Sequence, residues 1–379
     1  MTKFADVVTL SRARIKDPLT AGIERFVGLE HIEPENLHIS RWGAVTDGIT
    51  FTNHFKPGQV LFGKRRAYQR KVAVADFEGV CSGDIYVFES KDPDKLLPEL
   101  LPFICQSEGF YEYAVRTSAG SLSPRTNWKH LAQYEFPLPP IDEQRRIAEL
   151  LWAADDVLVQ WEKTFEKASI YFDAFTENIF QKLDKQFGSI AIGEIASVKG
   201  GKRLPKGEPY SSTATEHPYI RIVDFANKTV NETDLKYISH DVHKLIKRYI
   251  ITSKDVYVSI AGTTGIVGII PSSLDGANLT ENAARLVIKK QAAHHNRFIM
   301  YYLSSRKGQW ELQRQTMTTT QPKLAITRLA KIKIPNPNYD EQIEVVKILD
   351  ELSKKLTTIN ERKDESSSLK KGMLNNLLG

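Results

Sequence analysis

Pro137-Leu138-Pro139-Pro140-Ile141-Asp142-Glu143-Gln144 returns 198 residues later as Pro335-Asn336-Pro337-Asn338-Tyr339-Asp340-Glu341-Gln342, and each copy opens a long helical pattern. The repeat runs backwards at the same offset: Pro124 falls on Pro322, Leu131 on Leu329, Ala132 on Ala330, Tyr134 on Ile332 and Phe136 on Ile334. Eight of the 21 positions from Pro124 to Gln144 are identical to their partners, where chance gives about one or two. A period near 200 residues is too long for a solenoid repeat or a propeller blade, so it marks two whole domains built to one plan. Weaker echoes lie upstream, Phe26-Val27-Gly28-Leu29 on Tyr219-Ile220-Arg221-Ile222 at offset 193 and Val60-Leu61-Phe62 on Val256-Tyr257-Val258 at offset 196. The drifting offset places short insertions in the intervening loops, which tolerate them.

After Asp142-Glu143-Gln144, apolar residues recur at Ile147, Leu151, Ala154, Leu158, Trp161, Phe165, Ala168, Phe172, Phe175 and Ile179, in steps of four and three with no Pro or Gly. That spacing is a heptad seam. The second copy repeats it at Val345, Leu349, Leu352, Leu356 and Ile359, then places Lys363, Ser366 and Lys370 on the seam before Met373 and Leu377 restore it. Proline forces an extended approach to each helix, Asp142 and Asp340 are candidate caps, and Glu143 and Glu341 suit the positive helix end. A lone helix with one apolar stripe is unstable in water, so the two stripes are expected to pair. Antiparallel pairing would carry two similar blocks to the ends of a spacer with pseudo-twofold symmetry, a suitable ruler for two points on one duplex.

The chain has 379 residues and 41% hydrophobic content, enough for two or three ordinary cores. No apolar run approaches a membrane span, and Met1-Thr2-Lys3-Phe4-Ala5-Asp6 lacks the character of a signal peptide, so a cytoplasmic protein with no membrane partner is expected. Cys81 and Cys105 stand without a metal-ligand or disulfide pattern. The net charge is +6; segments 142–183 and 340–378 carry −4 and −1, so the remainder carries +11 and the positive charge sits off the helices. This favours a polyanionic partner.

Two blocks of about 140 to 150 residues, each ending in Pro-x-Pro and x-Asp-Glu-Gln before a long helix, resemble the specificity (S) subunit of Type I restriction-modification enzymes. Lys199-Gly200-Gly201-Lys202-Arg203-Leu204-Pro205-Lys206-Gly207, Pro218-Tyr219-Ile220-Arg221-Ile222-Val223-Asp224 and Cys81-Ser82-Gly83-Asp84-Ile85-Tyr86-Val87-Phe88 add to the likeness, which covers nearly the whole chain. The resemblance implies an α+β protein of two mixed target recognition domains, 1–140 and 188–338, separated by an antiparallel coiled coil of spacer helices, 141–187 and 339–379. It further implies that each domain reads half of a split, asymmetric site in double-stranded DNA, while the helices set the spacing and dock two methyltransferase (M) subunits. Restriction (R) subunits are expected partners too. No cofactor is expected on this chain; S-adenosylmethionine, ATP and Mg would belong to the partners.

Catalytic motifs are weak throughout. Asn336-Pro337-Asn338-Tyr339 differs from the Asn-Pro-Pro-Tyr loop of amino-methyltransferases and reads more simply as a rigid lead into a helix. Gly262-Thr263-Thr264-Gly265-Ile266-Val267-Gly268 fits no phosphate loop and reads as a hairpin-like excursion. Pro93-Asp94 and His294-His295 lack the companions of a nuclease or metal site. No catalytic or metal residue is assigned. Two alternatives stay open: a stand-alone methyltransferase or nuclease with unrecognised motifs, and a coiled-coil scaffold that binds only protein.

For DNA contact the strongest stretch is Lys64-Arg65-Arg66-Ala67-Tyr68-Gln69-Arg70-Lys71, which follows one strand-like run and precedes another. Its cations suit phosphates, and Arg and Gln suit base edges. The counterpart around Thr263 and Thr264 is small and hydroxyl-rich, as fits domains that read different sequences. A second pair of loops precedes the matched prolines, with Ser121, Arg125 and Asn127 in one and Thr319, Gln321 and Lys323 in the other. Lys199, Lys202, Arg203 and Lys206 form a third cluster.

Overall fold

The computed structural model describes residues 1–290, 293–317 and 322–378, and so leaves the expected contacts of Thr319 and Gln321 outside the described residues. The chain forms two compact units, one of residues 1–162 with 361–379, the other of residues 163–360. Each unit therefore takes a head and a stretch of both long helices.

In the first unit, the strand Val8–Leu10 joins Ile85–Ser90, Val60–Gly63 and Val72–Val74 in one antiparallel sheet. A second sheet runs Gly43–Ala44, Arg25–Val27, Gly79–Cys81, Asn53–Phe55, its central pair parallel. The helices Leu101–Gln106 and Glu108–Arg116 complete the main core with Phe4, Phe62, Phe88, Phe103 and Phe110. The second unit repeats the order. Ala196–Gly200, Ala283–Ile288, Val256–Ser259 and Val267–Gly268 form its antiparallel sheet, and Lys236–Tyr237, Pro218–Ile220, Ala277–Leu279 and Ile250–Ile251 its mixed one, again with a parallel centre. Asn296–Ser304 and Arg306–Gln315 match the helix pair. The break between those helices is capped alike, by the hydroxyls of buried Ser107 and Ser305.

The upstream echoes fall on equivalent strands, and the excursion at 262–268 is the hairpin between Val256–Ser259 and Val267–Gly268. The first strands of the two antiparallel four-stranded sheets, Val8–Leu10 and Ala196–Gly200, align at offset 188, so the insertions begin earlier than the sequence echoes indicate. The second unit also adds the hairpin Phe225–Ala226 and Thr229–Val230 and the helix His240–Ile246.

The long helices span Ile141–Phe187, 47 residues, and Tyr339–Leu378, 40 residues, or about 70 and 60 Å. Their opening motif has a structural use. In the first unit the buried Gln144 side chain accepts from the Leu97 amide at 2.9 Å and donates to the Lys95 and Pro139 carbonyls at 2.8 and 2.9 Å. In the second, Gln342 accepts from the His295 amide at 2.9 Å and donates to the Ala293 and Pro337 carbonyls at 3.2 and 3.0 Å. One glutamine thus pins each helix start to its own head. The expected aspartate caps are not made, because Asp142 and Asp340 already lie inside the first turn; Asp142 pairs with Arg145, and Asn338 accepts from the Glu341 amide to cap the second helix.

Within the first unit the helices are antiparallel: Asp155 bonds Lys370, Leu158 and Ser367 line one cavity, and Ile147 and Leu151 share a core with Leu374. Within the second, Phe172, Phe180 and Leu183 share a core with Val345, Val346 and Leu349, packed by Leu352 and Leu356. Trp161, Phe165 and Ile359 are half-buried. The seam corrects the heptad expectation in part, since Thr176 and Phe180 are buried where Phe175 and Ile179 were expected, and Leu374 where Met373 and Leu377 were. A 3.6-residue turn drifts against a 3.5-residue repeat, so the inward face slips by one residue over several turns. The polar positions of the second helix lie within a continuous helix, and Lys370 is buried against Asp155.

Candidate nucleic-acid interface

Two loops remote in sequence meet in each head through the same backbone bonds. In the first unit, Arg65 bridges Arg125, Arg125 bridges Ala119, and the Thr126 amide donates to the Lys64 carbonyl at 2.9 Å. In the second, Ala261 bridges Lys323, Lys323 bridges Met317, and the Leu324 amide donates to the Ile260 carbonyl at 2.8 Å. The strand hairpin and the segment before the matched prolines are therefore one surface, built twice. The next loop joins it in both units: Lys64 donates its amide to the Asp84 carbonyl at 3.0 Å, and Ile260 to the Asn282 carbonyl at 2.7 Å.

The two surfaces differ in chemistry. In the first, Arg125 places Nε 2.8 Å and Nη2 3.4 Å from the two oxygens of Asp84, and Arg65 Nη1 lies 3.4 Å from the same carboxylate. Partial burial pushes the Asp84 carboxyl up, but Arg125 and Arg65 outweigh it and hold it below its ordinary value. Arg65 and Arg66 both donate to Ser123 Oγ, at 3.0 and 3.3 Å. Arg66 holds φ 54°, a left-handed conformation that a residue with a Cβ rarely adopts, and its counterpart in the second hairpin is Gly262 at φ 73°. The first unit keeps an arginine where the backbone favours glycine.

Other members of the basic stretch turn inward. Arg70 pairs with Glu108 and Glu35, Lys71 donates to the Leu29 carbonyl at 2.6 Å, and Lys64 lies over the Tyr86 ring at 4.7 Å. Tyr68 is exposed and Gln69 half-buried on the short turn Ala67–Gln69. Ser121 is exposed, whereas Asn127 caps the helix Trp128–Leu131 through the Lys129 amide. In the second unit Thr263, Lys323, Lys199, Lys202 and Lys206 are exposed and Thr264 is half-buried; Lys199 interacts electrostatically with Asp255. Arg203 donates to Glu281 at 2.6 Å and lines a cleft with Asn282.

The matching cleft of the first unit exposes Arg12 and Arg14 beside Lys64. Sequence reading missed both, although Ser11-Arg12-Ala13-Arg14 alternates directly after the strand Val8–Leu10 and so puts both cations on one face. The positive surplus is also shared unequally, a correction to its assignment to the heads in general. Residues 1–141 hold 17 basic and 17 acidic side chains, while residues 184–339 hold 23 and 12. The catalytic decoys are absorbed by the fold: Asn338 is a helix cap, and Asn336 bonds His294 at 3.1 Å.

A family model described as Type I restriction modification DNA specificity domain matches residues 43–170 and 185–366. The chain is 30% identical over 187 residues to the Type I restriction enzyme EcoDI specificity subunit of Escherichia coli, which covers 48% of this chain and 40% of that protein. It is 21% identical over 388 residues to the MjaVIII specificity subunit of Methanocaldococcus jannaschii, covering 97% of this chain and 84% of the relative. Among solved structures, the Type I restriction-modification S subunit of M. genitalium aligns with TM-score 0.62 and 16% identity over 100% of this chain and 95% of that one. A chain from a structure of type I R-M complex assembly and conformational transition aligns with TM-score 0.60 and 16% identity over 99% and 96%.

Proposed function

Because this chain belongs to the family of Type I restriction-modification DNA specificity subunits, we propose that its two heads each read one part of a bipartite, asymmetric site in double-stranded DNA. The observation that carries this reading is the duplicated surface: one set of backbone bonds joins the hairpin and pre-proline loops in both units, while the side chains on them differ. A shared scaffold with divergent loops suits two different words read by one mechanism. The chain is a non-catalytic recognition subunit. Methyl transfer belongs to M subunits docked on the long helices, and R subunits add ATP- and Mg-dependent restriction; S-adenosylmethionine is held by the M subunits and not by this chain.

Within each head, cations and hydroxyls of the hairpin loop, the pre-proline loop and the adjoining cleft contact DNA. In the first unit these are Arg65, Arg66, Arg125, Arg12 and Arg14; in the second, Thr263, Thr264, Lys323 and the cluster at Lys199, Lys202, Arg203 and Lys206. Co-expression with the cognate M subunit, followed by mapping of methylated adenines, tests the assignment. A gapped two-part motif is expected, with loop substitutions at Arg65 and Arg66 altering one part and Thr263→Ala with Thr264→Ala altering the other. A single uninterrupted motif, or both parts changing together, would overturn it.

A further inference from the structure

We propose that the first unit reads a guanine through Arg125, with Asp84 as its positioning residue; the inference rests on the bipartite reading above. Arg125 is held at two levels. Its backbone exchanges hydrogen bonds with Ala119 at 2.9 and 3.0 Å and bridges Arg65, and its Nε and Nη2 lie along the two Asp84 oxygens. Nη1 has no hydrogen-bond partner among the described residues, and the side chain is 49% exposed. The guanidinium is therefore oriented, with its Nη1–Nη2 edge left for another acceptor pair.

A phosphate contact does not need this arrangement. A phosphate accepts a point charge from many directions, and a carboxylate beside the cation repels it. Base reading depends on direction: guanine offers O6 and N7 as paired acceptors to a bidentate guanidinium, whereas adenine places an N–H donor where O6 would be.

The fold does not require the ion pair. The second unit makes the same bridges with Ala261, Lys323 and Asn282 at the positions of Arg65, Arg125 and Asp84. Asp84 is thus an addition peculiar to the first unit, whose head has no net charge with which to hold DNA non-specifically. Directional contact there and electrostatic hold in the second head divide the work.

The test uses the full chain with its M subunit, binding duplexes that carry the mapped motif with each base substituted in turn. The wild type is expected to require guanine at one position in one half-site. Arg125→Gln and Arg125→Lys should each relax that position by about 5- to 150-fold and leave the other half unchanged. The lysine variant keeps the charge and so separates lost reading from lost affinity or misfolding. Asp84→Asn should relax the same position, and Asp84→Asn with Arg125→Gln should be no worse than Arg125→Gln alone. Equal weakening on every duplex, or unchanged preference at every guanine in Arg125→Gln, would overturn the guanine assignment while leaving a two-part motif in place. Loss of the two-part motif in the wild type would instead defeat the reading on which it rests.

Discussion

Gln144 and Gln342 show how one side chain can account for a repeated motif. Each is almost wholly buried and satisfies one amide and two carbonyls where a head meets its helix. Gln342→Leu keeps the volume but leaves those groups buried without partners, so about 3 kcal/mol of stability should be lost, read by chemical denaturation. Gln144→Leu is expected to act alike in its own unit. Arg66 gives the opposite case. Its left-handed backbone is where glycine costs nothing, so Arg66→Gly should change stability by no more than about 1 kcal/mol while weakening DNA binding and lowering the salt slope by about one. A melting curve and binding titrations at two salt concentrations separate the effects; a large drop in melting temperature would show that the arginine serves the fold.

At the scale of the long helices, the polar interruption of the second seam is a buried ion pair. Lys370 and Asp155 have side chains only 7% and 3% exposed, and His38 adds a 2.6 Å bond to the other Asp155 oxygen. Removing one partner strands a buried charge, so Asp155→Leu or Lys370→Met alone should cost about 3 to 5 kcal/mol, whereas the double variant should lie near the wild type. Denaturation of the four proteins in a double-mutant cycle checks this. The bond to Asp155 raises the His38 pKa, against the lowering by burial. A raised folded pKa contributes stability that is complete below about 6.5, the unfolded value, and is lost as pH rises through the folded one. Melting temperature should therefore fall as pH rises above about 6.5, and His38→Gln should flatten that slope.

For the whole molecule, charge and reading are distributed differently between the heads. Substituting Lys199, Lys202 and Lys206 together by Gln should weaken binding to all duplexes and reduce the salt slope by about the number of phosphates released, with the methylated motif unchanged. A changed motif would mean that these lysines read bases. The duplication, the helix starts and the excursion at 262–268 follow from order along the chain, so repeat offset and hydrophobic period made them legible, whereas the meeting of the hairpin and pre-proline loops joins segments remote in sequence and was not. The sequence by itself determined two copies of one plan, each closing on a long helix, because repeat offset and local periodicity report local geometry; the α+β class came from the family resemblance. What it left open was which cations are available, since Asp84 lies 41 residues from Arg125, Glu108 lies 38 from Arg70, and Lys370 lies 215 from Asp155. Only the tertiary structure decided those pairings, because electrostatic partnership depends on distance in space, and one carboxylate brought beside an arginine changes a diffuse charge into an oriented donor.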